Sequence, residues 1–183
     1  MQMIETPRLL LRDWRREDIE DVYEYSKHPQ VGPNAGWAPH VNKKQTKEVL
    51  RLFAAAQEVW AIYHKADGRV IGSIGLHAAP QIQGMYAREL GYALAPQYWN
   101  MGYMTEAAQA VIGFAFGPMG LERLSAGHFP ENQRSQNVLV KCGFVNEGQM
   151  RSARRQYDGT VHDIVIYSLL KQDYQAKIKE TGV

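Results

Sequence analysis

The sequence predicts an α/β domain in which strands and helices alternate around one mixed sheet, and three observations carry that expectation. Hydrophobic periodicity switches several times between about 2, the strand period, and about 3.6, the helix period. Two Asp-Gly dipeptides, Asp67-Gly68 and Asp158-Gly159, each sit between strand-like runs, as tight hairpins require. The length of 183 residues suits one domain, 1–183, able to bury roughly two-thirds or more of its unfolded surface.

Taken in order, Leu9 to Trp14 reads as a strand and Glu17 to Lys27 as a helix burying Ile19, Val22 and Tyr23. A loop rich in Pro, Gly and Asn, Pro29 to Asn42, leads to a second helix with Val49, Leu52, Phe53 and Ala56 on one face. Val59 to His64 and Val70 to Leu76 form the first hairpin, and Ala87 to Leu94 joins them as a third central strand. After Pro96 a helix presents Met104, Ala107, Ala108, Val111, Ile112 and Ala115 as one apolar stripe, until Gly117-Pro118 ends it. Arg123 to Phe129 is a strand, Gln133 to Cys142 a short helix stopped by Gly143, and Phe144 to Arg155 with Val161 to Leu170 a closing hairpin.

Composition excludes several classes of function. With 45% hydrophobic, 22% charged and 10% aromatic residues the chain is neither a disordered tail, a collagen-like repeat nor a coiled coil. Lys plus Arg number 21 against 19 Asp plus Glu, a formal charge of +2 without a basic run, so DNA is not an expected partner. The longest apolar runs fall well short of the roughly 18 residues a membrane span needs, and MQMIETPRLLLRDW has no secretory signal pattern. A soluble, cytoplasmic protein without a membrane partner is expected. The one cysteine, Cys142, excludes an intrachain disulfide and a cysteine-cluster metal site. The six histidines show no short helical pairing of the zinc type, so no metal is expected, and no Gly-x-Gly, phosphate-loop or Gly-x-Ser-x-Gly motif occurs.

What remains is the junction QYWNMGYMTEA, Gln97 to Ala107, where a strand ends, a short loop turns at Gly102 and a long helix begins. Such a junction leaves backbone N–H groups from about Asn100 to Met104 unpaired, and with the positive end of the helix dipole they can hold a phosphate or pyrophosphate. A single glycine at such a turn has a purely conformational reading as well. A second constellation, NQRSQNVLVKCGF, Asn132 to Phe144, lies one strand downstream.

Together the two motifs resemble those of the Gcn5-related N-acetyltransferase (GNAT) superfamily. Gly102 falls on the glycine of that family's acetyl-CoA loop, Q/R-x-x-G-x-G/A, and N-x-x-S followed by K-x-G-F matches its later helix and strand start. Within it, the sequence is similar to the RimJ/RimL-type ribosomal-protein N-acetyltransferases, which share TPRLLLR at the start, the Trp37 to His40 element, an EIGY-like Glu89 to Tyr92 and YW-x-x-GY-x-TEA. The resemblance implies a single-domain GNAT-type fold: a twisted, mostly antiparallel mixed sheet of seven strands, strands 4 and 5 splayed, and four flanking helices. It implies acetyl-CoA as co-substrate, without metal, entering at the splay over Leu94, Trp99, Asn100, Met101, Gly102, Tyr103, Met104, Asn132 and Lys141, with Leu94 the backbone donor to the thioester oxygen. Trp99 stands at the Q/R position, Asn100 in place of a usual glycine, Met104 where Ala or Gly is expected, and Leu139 where many members carry a tyrosine that protonates the leaving thiolate.

The chemistry tolerates that last loss, because a thiol of pKa about 8.5 needs little protonation to leave at neutral pH. Deprotonating the amine is the harder step. An α-amino group of pKa about 7.8 is free base in roughly one molecule in seven at pH 7, whereas a lysine of about 10.4 is so in one in a few thousand. Glu89 is the candidate base, through water, against the reading of a strand carboxylate paired with Arg88 or a neighbour. Ser135 is the candidate donor to the thiolate by resemblance, or else a helix N-terminal serine bonding Asn132 or backbone. Asn132 caps its helix and, by resemblance, meets the pantetheine arm. Lys141 serves the helix dipole or the CoA phosphates. Cys142 reads as a buried small hydrophobe, and Arg151, Arg154 and Arg155 as a solvated face or a contact for an acidic acceptor or ribosomal RNA. Trp37 and His40 read as packing residues or, by resemblance, as the acceptor side. The expected reaction is direct acetyl transfer to a primary amine, the α-amino group of a protein or peptide first among them. A polyamine or aminoglycoside acetyltransferase and a non-catalytic acyl-CoA-binding module are the alternatives, and a homodimer is compatible with each.

Overall fold

The computed structural model describes residues 1–181. The strands are β1 (Ile4–Glu5), β2 (Leu9–Arg12), β3 (Val59–His64), β4 (Arg69–Ala78), β5 (Ala87–Leu94), β6 (Arg123–His128), β7 (Val145–Arg155) and β8 (Val161–Leu170). The α-helices are α1 (Ile19–Ser26), α2 (Gly32–Ala35), α3 (Lys43–Ala56), α4 (Tyr103–Phe116), α5 (Gln133–Cys142) and α6 (Lys171–Thr181). All strands lie in one sheet in the order β1-β2-β3-β4-β5-β6-β8-β7. Among the described residues only β5 and β6 pair in parallel; every other neighbour is antiparallel.

The sheet therefore has eight strands where the periodicity indicates seven, because β1 is two residues long and too short to show alternation. Among the described residues six α-helices replace the expected four: α2 is a single turn inside the Pro29 to Asn42 loop, closed by Gly36 in the left-handed region at φ 85°, and α6 continues directly from β8. The first helix opens with a 3-10 turn, Arg16–Asp18, that runs directly into α1. A buried, two-pronged ion pair, Arg12 Nη1 and Nη2 each 2.8 Å from an Asp18 carboxylate oxygen, pins its start to β2, and Asp18 also accepts the Arg15 N–H at 2.7 Å. That anchor rotates α1 so that Val22, Tyr25 and Ser26 are buried, rather than Tyr23. In α3, capped by Asn42 accepting from Gln45 N–H, the buried face is Thr46 and Leu50, and Leu52 stands 68% exposed. The stripe along α4 is as patterned: Met104, Ala107, Ala108, Val111, Ile112 and Ala115 are all buried.

The consequential feature is where β5 and β6 part. They pair in register only from Ala87–Arg123 to Glu89–Ser125, while β5 continues alongside β4 as far as Leu94 opposite Gly72. Beyond Glu89 the two strands, fourth and fifth when the two-residue β1 is not counted, are splayed, as the resemblance implies.

Candidate active site

A cleft of about 250 Å³ occupies the splay, walled by β5, the loop into α4, and α5. Its floor is set by strand alternation. The Ala95 N–H bonds the Ile71 carbonyl at 2.8 Å, so alternate residues of β5 turn their N–H toward β4, and those between, including Leu94, turn theirs to the side where β6 has departed. The Leu94 carbonyl on that side accepts from Trp99 Nε1 at 2.8 Å. Trp99 in turn lies under the guanidinium of Arg134, 4.0 Å from the ring centroid.

The loop into α4 is held open by two left-handed residues, Asn100 at φ 62° and Gly102 at φ 81°. Asparagine is among the few side chains that adopt this region readily, which is why Asn100 serves where a glycine is usual. The first intrahelical bond runs from Glu106 N–H to the Gly102 carbonyl, and no side chain caps the end. The N–H groups of Tyr103, Met104 and Thr105 are thus left for a ligand, at the positive end of the dipole. Arg8 fixes the loop from β2's approach. Its Nη1 donates to the Met101 carbonyl at 3.0 Å, its Nε meets Glu106 at 2.6 Å, and its guanidinium stacks on Tyr103. Burial alone would raise the Glu106 pKa, but hydrogen bonds from Thr6 and Arg8 outweigh it and hold the carboxyl below its ordinary range. Its charge is thereby paired and does not oppose an anion at the helix end. Beneath the loop, His64 bridges Asp67 and the Tyr103 hydroxyl, each at 3.0 Å, and Tyr98 donates to Asp67. Burial, then the Asp67 hydrogen bond, push the Tyr98 phenol up to about 12.

On the opposite wall Asn132 caps α5, its Oδ1 accepting from Ser135 N–H at 3.2 Å, while its Nδ2 donates to the Asn34 carbonyl of α2. Ser135 Oγ lies 2.8 Å from the hydroxyl of Tyr92, which rises from β5 across the cleft. Lys141 sits at the rim. Leu139 is only 1% exposed and packs in the core, so α5 brings no tyrosine to the cleft from that position. Burial pushes the Cys142 thiol up to about 11, in keeping with a packed, unreactive cysteine.

Of the residues singled out from the sequence, Leu94, Trp99, Asn100, Gly102, Tyr103, Met104, Asn132, Ser135 and Lys141 line this one cleft. Met101 stands beside it, 55% exposed, and contributes its carbonyl to Arg8. Trp37 and His40 do not line it. Their rings pack 5.4 Å apart, and buried His40 meets Thr46 Oγ1 of α3 at 2.9 Å. Glu89 also lies outside the cleft lining. It is half-buried at the last paired position before the splay, in register with His77 and Ser125, and alternation puts its side chain on the opposite sheet face from Tyr92. Tyr92 and Arg134 were not visible as site residues: one reads as a strand aromatic and the other as a helix-surface cation.

Among the described residues no group of three or more His, Cys, Asp or Glu is arranged to hold a metal ion, and no helix is long and apolar enough to cross a membrane. A strand opened at its C-terminal half, facing an uncapped helix N-terminus across a cleft, defines a site suited to a phosphate-bearing ligand. The acetyltransferase (GNAT) domain profile matches residues 8–145, and the chain belongs to this family of acetyl-CoA-dependent acetyltransferases. It is 30% identical to the N-acetyltransferase YoaA of Bacillus subtilis over 174 residues, 92% of this chain and 97% of that one. A GNAT-family acetyltransferase structure from Bacillus anthracis superposes with a TM-score of 0.84 at 27% identity, covering 93% of this chain and 99% of the other. Over 89 residues, 49% of this chain and 45% of its relative, it is 30% identical to the [ribosomal protein uS5]-alanine N-acetyltransferase of Escherichia coli.

Proposed function

We propose that the protein transfers the acetyl group of acetyl-CoA to the α-amino group of a protein or peptide N-terminus, by direct attack of the amine on the thioester. The observation that carries the acceptor class is the loop Pro29 to Asn42, which contains no Asp or Glu and offers Trp37, His40 and backbone groups instead. A polyamine carries several positive charges and calls for carboxylates, whereas a chain terminus needs only to present one amine that is already free base in an appreciable fraction. The part-length similarity to an enzyme named as a ribosomal protein uS5-alanine N-acetyltransferase supports the same reading and the RimJ/RimL-type branch.

In this reading the N–H groups of Tyr103 to Thr105 hold the pyrophosphate, Asn132 borders the pantetheine arm, and Lys141 stands near the phosphates. The Leu94 N–H takes the thioester oxygen as it gains charge, and Ser135 hydrogen-bonds the departing sulfur. The amine enters from the sheet face that carries Glu89, which accepts its proton through water. A thiol-release assay comparing an alanine-initiated hexapeptide with spermidine tests the acceptor. The peptide is expected to show the higher kcat/KM, and a clear preference for spermidine would overturn the assignment.

A further inference from the structure

We infer that Tyr92 is a positioning residue for acetyl transfer: its hydroxyl, 2.8 Å from Ser135 Oγ in the cleft, donates to that oxygen and turns the serine's own proton toward the sulfur of CoA. The inference rests on the reading that the cleft holds acetyl-CoA. Two hydroxyls that share one hydrogen bond must settle which gives and which receives. Burial drives the Tyr92 phenol well above the ordinary tyrosine range, only partly offset by its hydrogen bond with Ser135, so it keeps its proton throughout the working pH range. The contact to the Ser135 carbonyl is longer, at 3.3 Å, leaving Oγ as the nearer acceptor. A serine that accepts from a phenol has its single O–H free for another partner, and both side chains line the cleft. The surrounding charged and titratable groups are Cys142 beneath Tyr92 and Arg134, Lys141, Tyr98 and Tyr103 along the walls; none is a carboxylate that would compete for that proton.

The arrangement fits the electron balance of the reaction. As the amine forms the new N–C bond, the C–S bond breaks and its electron pair moves to sulfur. The amine's proton leaves toward water, and the nascent thiolate is met by the Ser135 O–H. Tyr92 neither gains nor loses a proton. Since Leu139 is buried in the core, the phenol that α5 does not provide comes instead from β5, one helical turn earlier along the cleft.

The test needs no acceptor. CoA and desulfo-CoA are titrated calorimetrically against the wild-type protein, Tyr92→Phe and Ser135→Ala, at about pH 7 and about pH 9.5, on either side of the ordinary thiol pKa of about 8.5. In the wild type the preference for CoA over desulfo-CoA should grow about tenfold across that range, the value of one hydrogen bond to a charged sulfur. In both variants it should stay flat. Growth in Tyr92→Phe equal to the wild type would overturn the inference, as would a wild-type preference that does not change with pH. A variant that merely packs less well loses affinity for both nucleotides together and leaves that growth intact, which also overturns it. Failure of the wild type to bind either nucleotide would instead remove the cofactor reading of the cleft, and this inference with it.

Discussion

Gly102 shows how a single backbone angle decides a binding site. A Cβ placed there would meet only Arg8 Nη2, at an ordinary 3.5 Å, so space is not what requires glycine; the φ of 81° is. A β-branched residue in that region costs about 1–2 kcal/mol or relaxes to another angle, and either way the N–H groups of the next turn lose their aim. Gly102→Val is therefore expected to raise the acetyl-CoA dissociation constant about tenfold with the melting transition retained. Calorimetric titration beside a thermal melt checks this, and unchanged affinity in the folded variant would place the pyrophosphate elsewhere. Gly102, Asn132 and Ser135 could be found from the sequence because their roles depend on local order: a turn angle, a helix cap, a first-turn hydroxyl. Tyr92 and Arg134 could not. A phenol's partner 43 residues away, or a guanidinium laid on Trp99, depends on how β5 and α5 face each other across the splay.

Among the elements, strands and helices were legible where their periodicity ran long enough to average over exceptions, as in β3, β4, α4 and α5. It failed where tertiary contacts set the rotation. In α1 the governing contact is the Arg12–Asp18 pair, with side chains only 6% and 3% exposed. Asp18 stabilises the Arg12 guanidinium, raising its pKa through a hydrogen bond whose effect exceeds the opposing burial. Asp18→Ala leaves that cation buried without its partner, and also frees the Arg15 N–H. A loss of about 3–5 kcal/mol is expected, read as a lower denaturant midpoint at unchanged slope. A loss under about 1 kcal/mol would mean that water or another acceptor takes over, as at a surface pair.

Across the whole molecule, the splay makes one sheet serve two faces. Tyr92, α4 and α5 bound the cleft on one side, while Glu89, the last residue of β5 still paired to β6, stands on the other with His77 and Ser125 beside it in register. In the proposed reaction the donor lies on the cleft side and the amine arrives on the Glu89 side, so a base there has no need to line the cleft. This separation gives Glu89 a specific kinetic signature. Proton removal limits an amine of pKa about 10.4, free base in only one in a few thousand molecules at pH 7, far more than an α-amino group of about 7.8. Glu89→Gln should lower kcat/KM by about 100-fold on a lysine-like amine and by less than about tenfold on an N-terminal peptide. Because the residue does not touch the cleft, acetyl-CoA affinity should not change. Steady-state kinetics with both acceptors, and titration of acetyl-CoA, measure the two effects separately. Equal small losses on both acceptors would return Glu89 to the role of a strand carboxylate facing solvent, and a loss of acetyl-CoA affinity would show that the two faces are not independent.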